Sequence, residues 1–250
     1  MDIDVKEEPS ASSPMKRESG RGSAFARGAS ESVPEFLSRL PPSTTKAESV
    51  GPWIWVDNPH DKVSNAELGD RATLIDKGQE LLYAFENEKA RLEAEHDKSK
   101  AKTKAGLTRK LNPLRRTLEQ DLFALARETG ITAGKWMLFP TPDQVDQTWK
   151  TVATAVVEGE LGIGAKVAAD DGLGGARLIA MYTRDYADKS DVKRVLERLV
   201  DLGLVAARER PIYYKCDVLT YLNIMGNNPY GLKASMCSSR DVLSGKLDEA

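Results

Sequence analysis

Ala133-Gly134-Lys135-Trp136-Met137-Leu138 opens the stretch, residues 133–204, whose reading decides the fold. It begins as an apolar strand. Thr141-Pro142-Asp143-Gln144 follows, supplying a capping residue, a first-turn proline, an acid near the positive helix end and a glutamine three residues after the cap. Val145, Trp149, Val152 and Val156 then recur on one stripe that ends at Gly159, which predicts an amphipathic helix. A strand around Lys166-Val167 and a second, Ile179-Ala180-Met181-Tyr182-Thr183, flank the glycine-rich Asp171-Gly172-Leu173-Gly174-Gly175, the composition of an antiparallel hairpin. Val192, Val195, Leu196, Leu199 and Leu202 form the stripe of another helix, with Gly203 just past its end. Strands in hairpin order, interleaved with one-sided helices, predict an α+β layer with helices on one side of an antiparallel sheet.

Outward from this stretch the signals continue in both directions. Leu204 to Ala207 and Ile212 to Lys215, with Pro211 between them, predict a second hairpin, and Asp217 reads as the cap of a short segment containing Tyr221. Upstream, Trp53-Ile54-Trp55-Val56 alternates so that both tryptophans share one face of a strand, ended by Asp57-Asn58-Pro59. Leu74, Leu81, Leu82, Phe85 and Leu92 recur at helical spacing over residues 71–96. The pattern breaks at residues 98–106. Asn112 as N-cap and Pro113 as first helical residue predict another helix carrying Leu114, Leu118, Leu122 and Leu125 and closed by Gly130. Residues 1–48, rich in Ser, Pro, Gly, Arg and Glu without apolar periodicity, read as a disordered tail. Within them, Val5-Lys6-Glu7-Glu8 fits a SUMO-conjugation pattern and Ser13-Pro14 a proline-directed kinase site. Residues 49–240 read as a single domain and residues 241–250 as a C-terminal tail.

Composition narrows the function classes. A chain of 250 residues, 40% hydrophobic, is long enough to bury one substantial core. No apolar run approaches the roughly 20 residues of a membrane span, and the N-terminus lacks the apolar stretch of a secretory signal. Cys216 and Cys237 imply no disulfide framework, so a cytoplasmic or nuclear setting is expected. His60 and His96 lie in acidic polar surroundings with no cysteine near, which argues against a zinc site and against a histidine-based nucleophile. Gly159, Gly162 and Gly164 imitate a dinucleotide loop but follow a helix rather than leading into one. No cofactor and no catalytic residue is expected. The net charge of −2 conceals a basic run: residues 98–116 carry Lys98, Lys100, Lys102, Lys104, Arg109, Lys110, Arg115 and Arg116 with no acid between them. Such a run reads either as a solvated hinge between helices or as a phosphate-neutralising surface.

The order Gly134-Lys135-Trp136, Asp146 and Trp149, Ile179-Ala180-Met181-Tyr182-Thr183 and Leu202-Gly203-Leu204 resembles the second half of translation initiation factor 4E. It is closer still to the basophilic leukaemia-expressed protein family, an uncharacterised family sharing that fold, whose pattern is similar to Lys135-Trp136, Tyr214-Lys215, Asp217, Thr220-Tyr221-Leu222, Asn227-Asn228 and Gly231-Leu232. The resemblance covers about residues 51–240. It implies a curved antiparallel sheet with helices on the convex face. In the initiation factor the concave face holds a methylated guanine cap between two tryptophans, with basic side chains on the phosphates. This chain departs from that pattern: Ala169, Asp170 and Asp171 stand where the initiation factor has basic residues, and Trp136 matches a framework tryptophan. Cap binding in the initiation factor's manner is therefore not expected.

The sequence still predicts a binding face. Alternation allows Lys166 and Arg177 to face away from the helices, with Lys135, Tyr182, Tyr214 and Lys215 on neighbouring segments. Cations interleaved with aromatics on a sheet suit single-stranded RNA or a nucleotide. Trp136, Trp149 and Tyr182 read first as core, and Trp53 and Trp55 as either a core anchor or a stacking platform. The expected function is a non-enzymatic module binding RNA or a nucleotide-like ligand on the concave sheet face, through Trp53, Trp55, Lys135, Lys166, Arg177, Tyr182, Tyr214 and Lys215. The alternative is a protein-interaction adaptor whose partner sits on the helical face, with no nucleic-acid ligand.

Overall fold

The computed structural model describes residues 24–61, 69–99, 103–206 and 210–246. The two modification motifs near the N-terminus lie outside the described residues. In chain order the elements are α1 (Val33–Arg39), α2 (Ala47–Val50), β1 (Trp53–Asp57), α3 (Arg71–Lys98), α4 (Ala105–Glu128), β2 (Gly134–Leu138), α5 (Val145–Val157), β3 (Gly164–Ala168), β4 (Ile179–Thr183), α6 (Lys189–Asp201), β5 (Tyr213–Cys216), α7 (Asp217–Tyr221), β6 (Cys237–Ser238) and α8 (Ser239–Leu243). The described residues divide into two compact units. One is drawn from residues 69–132 and 217–234, the other from residues 24–61, 133–216 and 235–246.

The second unit is built on a six-stranded sheet in the order β1-β3-β4-β2-β5-β6, with neighbouring strands antiparallel throughout. The α+β class with an antiparallel sheet, read from the sequence, is the architecture found. Register assigns each side chain to a face, because neighbours in the ladder share one. Ile54, Val56, Ala165, Val167, Ile179, Met181, Trp136 and Tyr214 share the first face and are all buried. Helices α5 and α6 pack over that face: α5 lies against β1 and β3, and the Trp136 indole N–H donates 2.9 Å to the Val192 carbonyl of α6. Gly203, at φ 70°, ends α6 as expected, with Leu204 N–H bonding Leu199 O at 3.0 Å and Gly203 N–H bonding Val200 O at 2.9 Å.

Four local expectations change in this unit. Residues 24–48 are not a structureless tail. Arg27 N–H donates to Trp55 O and Trp55 N–H to Phe25 O, so residues 25–27 close the outer edge of β1, and α1 carries a Ser32–Glu35 capping box. Phe36 of α1, fully buried, meets Trp149 edge-on at 6.4 Å. Helix α5 starts at Val145, not Pro142, because the Thr141 carbonyl accepts from both Gln144 and Val145 in a tight turn ahead of it. The second hairpin does not form among the described residues: β5 pairs with β2 and β6, and residues 204–206 hold no strand. Residues 241–243, expected to be tail, complete α8.

The first unit is a helical hairpin with α7. Helix α3 is capped by the Asp70 side chain, which accepts from Thr73 N–H at 3.0 Å. Contacts of Lys77 with Glu128 and of Glu95 with Lys110 run the two long helices antiparallel. Helix α4 begins at Ala105, eight residues before the proline read as its first turn, and Pro113 sits inside it. An interior proline costs about 3 kcal/mol. Burying Leu107 and Leu111 against Leu92 returns about 1.5–3 kcal/mol for each side chain, enough to carry the helix through.

Candidate ligand-binding face of the sheet

Opposite α5 and α6, the sheet's second face carries an ordered set. One row of the register reads Trp53, Ala168; the next Trp55, Lys166, Ala180, Met137, Tyr213; the third Asp57, Gly164, Tyr182, Lys135, Lys215. Six residues singled out from the sequence therefore share this face: Trp53, Trp55, Lys135, Lys166, Tyr182 and Lys215. The strands contribute three lysines and one carboxylate, Asp57, to it.

Lys166 is at the centre of the aromatic group. Its ammonium stands 3.7 Å from the centroid of the Trp53 ring, 5.4 Å from Trp55 and 5.9 Å from Tyr182. Trp55 and Tyr182 stack at 6.0 Å with 22° between planes, across the β3 position held by the side-chain-free Gly164. The Lys135 ammonium lies 5.6 Å from the Tyr182 ring centroid. Cation–π attraction falls off beyond about 6 Å, so all four contacts lie inside its range. Lys135, Lys215, Lys166 and Tyr182 are buried, at 1%, 4%, 7% and 5% exposure, while Trp53, Trp55, Ala168 and Tyr213 are half-buried. The accessible part of the face is thus its Trp53 end, with the lysines beneath or behind.

Two predicted site residues are elsewhere. Arg177 precedes β4 and is buried in the hairpin loop, where its guanidinium donates to the Ala169 carbonyl and pairs with the carboxylates of Asp170 and Asp171. The acids that the sequence placed at the turn have captured the arginine placed beside them. Lys46, the Gly172 N–H and Arg177 hold the Asp170 carboxyl well below the usual carboxylate range. Tyr214 belongs to the helix-covered face: it meets Trp136 edge-on at 5.3 Å and shares a hydrogen bond with the Thr183 hydroxyl. Trp136 and Trp149, both fully buried, are core.

The sequence reading missed Phe139. It follows β2, continues the alternation of Lys135 and Met137, and is 44% exposed. Of the basic run, Lys98 ends α3, residues 100–102 lie outside the described residues, and Lys104, Arg109 and Arg116 are exposed at or along α4, while Lys110 pairs with Glu95 at 2.9 Å. Among the described residues no three His, Cys, Asp or Glu side chains gather as a metal site, and no helix is long and apolar enough to cross a membrane. Neither thiol is poised as a nucleophile, since Cys216 is buried and burial pushes the Cys237 thiol up to about 12.

A six-stranded antiparallel sheet with helices on one face and aromatic and cationic side chains on the other defines the class. Within it, the chain belongs to the basophilic leukemia-expressed protein Bles03 family, whose model matches residues 3–223. The match starts well ahead of residue 51, where the likeness was read to begin. Among solved structures, the chain is similar to Ascaris suum eIF4E-3 in complex with an m2,2,7G cap, at 16% identity and TM-score 0.34 over 44% of this chain and 59% of that one. It is also similar to the same protein with an m7G cap, at 18% identity and TM-score 0.32 over 44% and 58%. Each match spans less than two thirds of the solved chain.

Proposed function

We propose that the sheet-bearing unit is a non-enzymatic binding module that takes a nucleotide unit, free or within RNA, at the Trp53 end of the open face. The observation that carries this reading is the Lys166 ammonium set among Trp53, Trp55 and Tyr182 beside two half-buried indoles. An indole stacks any base, a contact worth about 1–3 kcal/mol, and the ammonium favours the attached phosphate. Lys135 and Lys215 are too buried to touch a ligand there, so Trp53, Trp55 and Lys166 carry the proposed contacts. The acids of the β3–β4 loop do not oppose these contacts, because Lys46 and Arg177 balance Asp170 and Asp171.

The test is tryptophan fluorescence of the full chain titrated with guanosine triphosphate, single-stranded oligouridine and a methylated cap analogue at low and high salt. Saturable quenching by the first two, weakened by salt, is expected. A protein folded by circular dichroism that responds to none of them sinks this reading, and the adaptor role of the helical face takes its place.

A further inference from the structure

Helix α4 turns its leucines inward and leaves cations on its outer face. Leu107, Leu111, Leu118, Leu122 and Leu125 are buried, whereas Arg109 and Arg116 are exposed seven residues apart, two turns along one side. Other cations of the two long helices have partners. Lys77 meets Glu128, Arg91 meets Glu88 and Lys110 meets Glu95, while Arg115 donates to the Tyr230 carbonyl and to Asn112. Arg109, Arg116 and Lys104, at the head of the helix, form no ion pair with any described acid, and the chain has no acid between Asp97 and Glu119.

Pro113, between the two arginines, marks the same face in a second way. A proline has no N–H, so the carbonyl of Arg109, four residues back, lacks the donor that helical geometry would give it. Both residues are exposed, which puts this acceptor on the solvent side of α4. Guanidinium groups bind phosphate oxygens, whereas a free carbonyl accepts a hydroxyl hydrogen and repels an anion. A ribose-phosphate backbone carries both complementary groups, and its 2′-hydroxyl is the one deoxyribose lacks. An acidic peptide would satisfy the arginines alone. A lipid surface calls for exposed large apolar side chains, and those of α4 point inward. No aromatic residue lies between Lys104 and Glu119 to stack an opened base, so contact is confined to the backbone, as it is for duplex RNA.

We infer that this face of α4 binds double-stranded RNA, with Lys104, Arg109 and Arg116 on phosphates and a ribose hydroxyl donating to the Arg109 carbonyl. The site is independent of the sheet face, since a duplex keeps its bases stacked and offers none to Trp53. The experiment follows fluorescence anisotropy of labelled duplexes of one sequence, about 16 base pairs long, as RNA and as DNA, on the full chain over a range of salt. RNA is expected to bind roughly two- to tenfold more tightly than DNA, the share of one added hydrogen bond. Three phosphate contacts give a slope of about −3 in log affinity against log salt, and Arg109→Ala or Arg116→Ala is expected to remove about one from it. Pro113→Ala leaves every charge in place and restores the N–H, so it is expected to bring the RNA-to-DNA ratio to one while raising Tm. Circular dichroism checks that the arginine variants are folded. A ratio of one in the native chain, or a preference that survives Pro113→Ala, overturns the hydroxyl contact and with it the assignment to RNA. Polyglutamate that displaces the duplex as well as unlabelled RNA does overturns it in favour of an acidic protein partner. A salt slope unchanged in both folded arginine variants overturns the site itself.

Discussion

Gly134→Ala tests how tightly the two faces of the sheet are held. Gly134 lies in β2 between Thr183 and Cys216, and a Cβ added there would stand 2.2 Å from the Tyr214 hydroxyl oxygen, 2.5 Å from Cζ and 2.7 Å from Cε1. Ordinary carbon contacts are about 3.5–4.0 Å, so the ring must move by more than a side chain's usual give. It has little room, being 1% exposed, edge-on to the fully buried Trp136, with its hydroxyl shared with Thr183. Overpacking of this kind costs about 1–3 kcal/mol. Driving the hydroxyl off Thr183, which is fully buried, adds about 1–3 kcal/mol. The expected loss is about 2–6 kcal/mol, a large part of the roughly 5–15 kcal/mol that a folded chain has to lose. Tyr214→Phe removes the nearest atom but leaves Cζ and Cε1 in place, so the double variant is expected to recover only part of the loss, with a coupling of about 1–2 kcal/mol. Urea unfolding followed by tryptophan fluorescence and circular dichroism measures all four corners of the cycle. A Gly134→Ala loss below about 0.5 kcal/mol, or simple additivity with Tyr214→Phe, would refute the claim that β2 and β5 are locked by this ring.

Lys166→Met keeps the length of the stem and removes the charge; about 2 kcal/mol of desolvated cation–π attraction is lost and about 1 kcal/mol returned by sulfur on the rings, so a small fall in Tm with a shifted tryptophan emission is expected. Trp136→Phe deletes the bond to the Val192 carbonyl and part of a buried indole, together about 2 kcal/mol by thermal or urea unfolding, and an effect near zero would mean α6 is not pinned there. Asp170 is held below the usual range first by Lys46, then by the Gly172 N–H and Arg177, so its stabilising share is complete above the unfolded value of about 3.9 and is lost as pH falls towards the folded one. Asp170→Asn should accordingly lower Tm at neutral pH and differ less from the native chain near pH 2, whereas a gap that widens in acid would reverse the assigned sign.

The legible parts of the fold were those written as periodicity or punctuation. Trp53-Ile54-Trp55-Val56 alternates because one face of β1 is core and the other is not, and Gly203 stops α6 because the following turn needs a positive φ. What periodicity cannot register is a single anchor. Phe36 and Leu40 tie residues 24–48 to the sheet-bearing unit, yet two apolar residues in a polar stretch make no pattern. The candidate site shows the limit more sharply. Tyr214 and Lys215 are consecutive in β5, so the two-residue repeat of a strand forbids both from sharing a face; the register gives the open face to Lys215 and the core to Tyr214. Arg177 was a loss of another kind, since a loop conformation decided whether it met the sheet or the acids of its own turn. Phe139 lies one residue past the end of β2, where alternation is no longer guaranteed by pairing.

The position of Lys166 also bears on the charge of any base the face accepts. A positively charged, alkylated base brought among Trp53, Trp55 and Tyr182 would meet an ammonium already within 6 Å of all three ring centroids. Stacking on an indole returns about 1–3 kcal/mol. An alkylated base reaches those rings only if Lys166 leaves them and forfeits about 2 kcal/mol of cation–π attraction. A neutral base meets no such opposition, and its phosphate gains from the same ammonium. The aromatic group that makes this face look fit for a cation is thus filled by a cation of the chain's own, and the affinity order expected of it is neutral base above alkylated base, carried by phosphate and falling with salt.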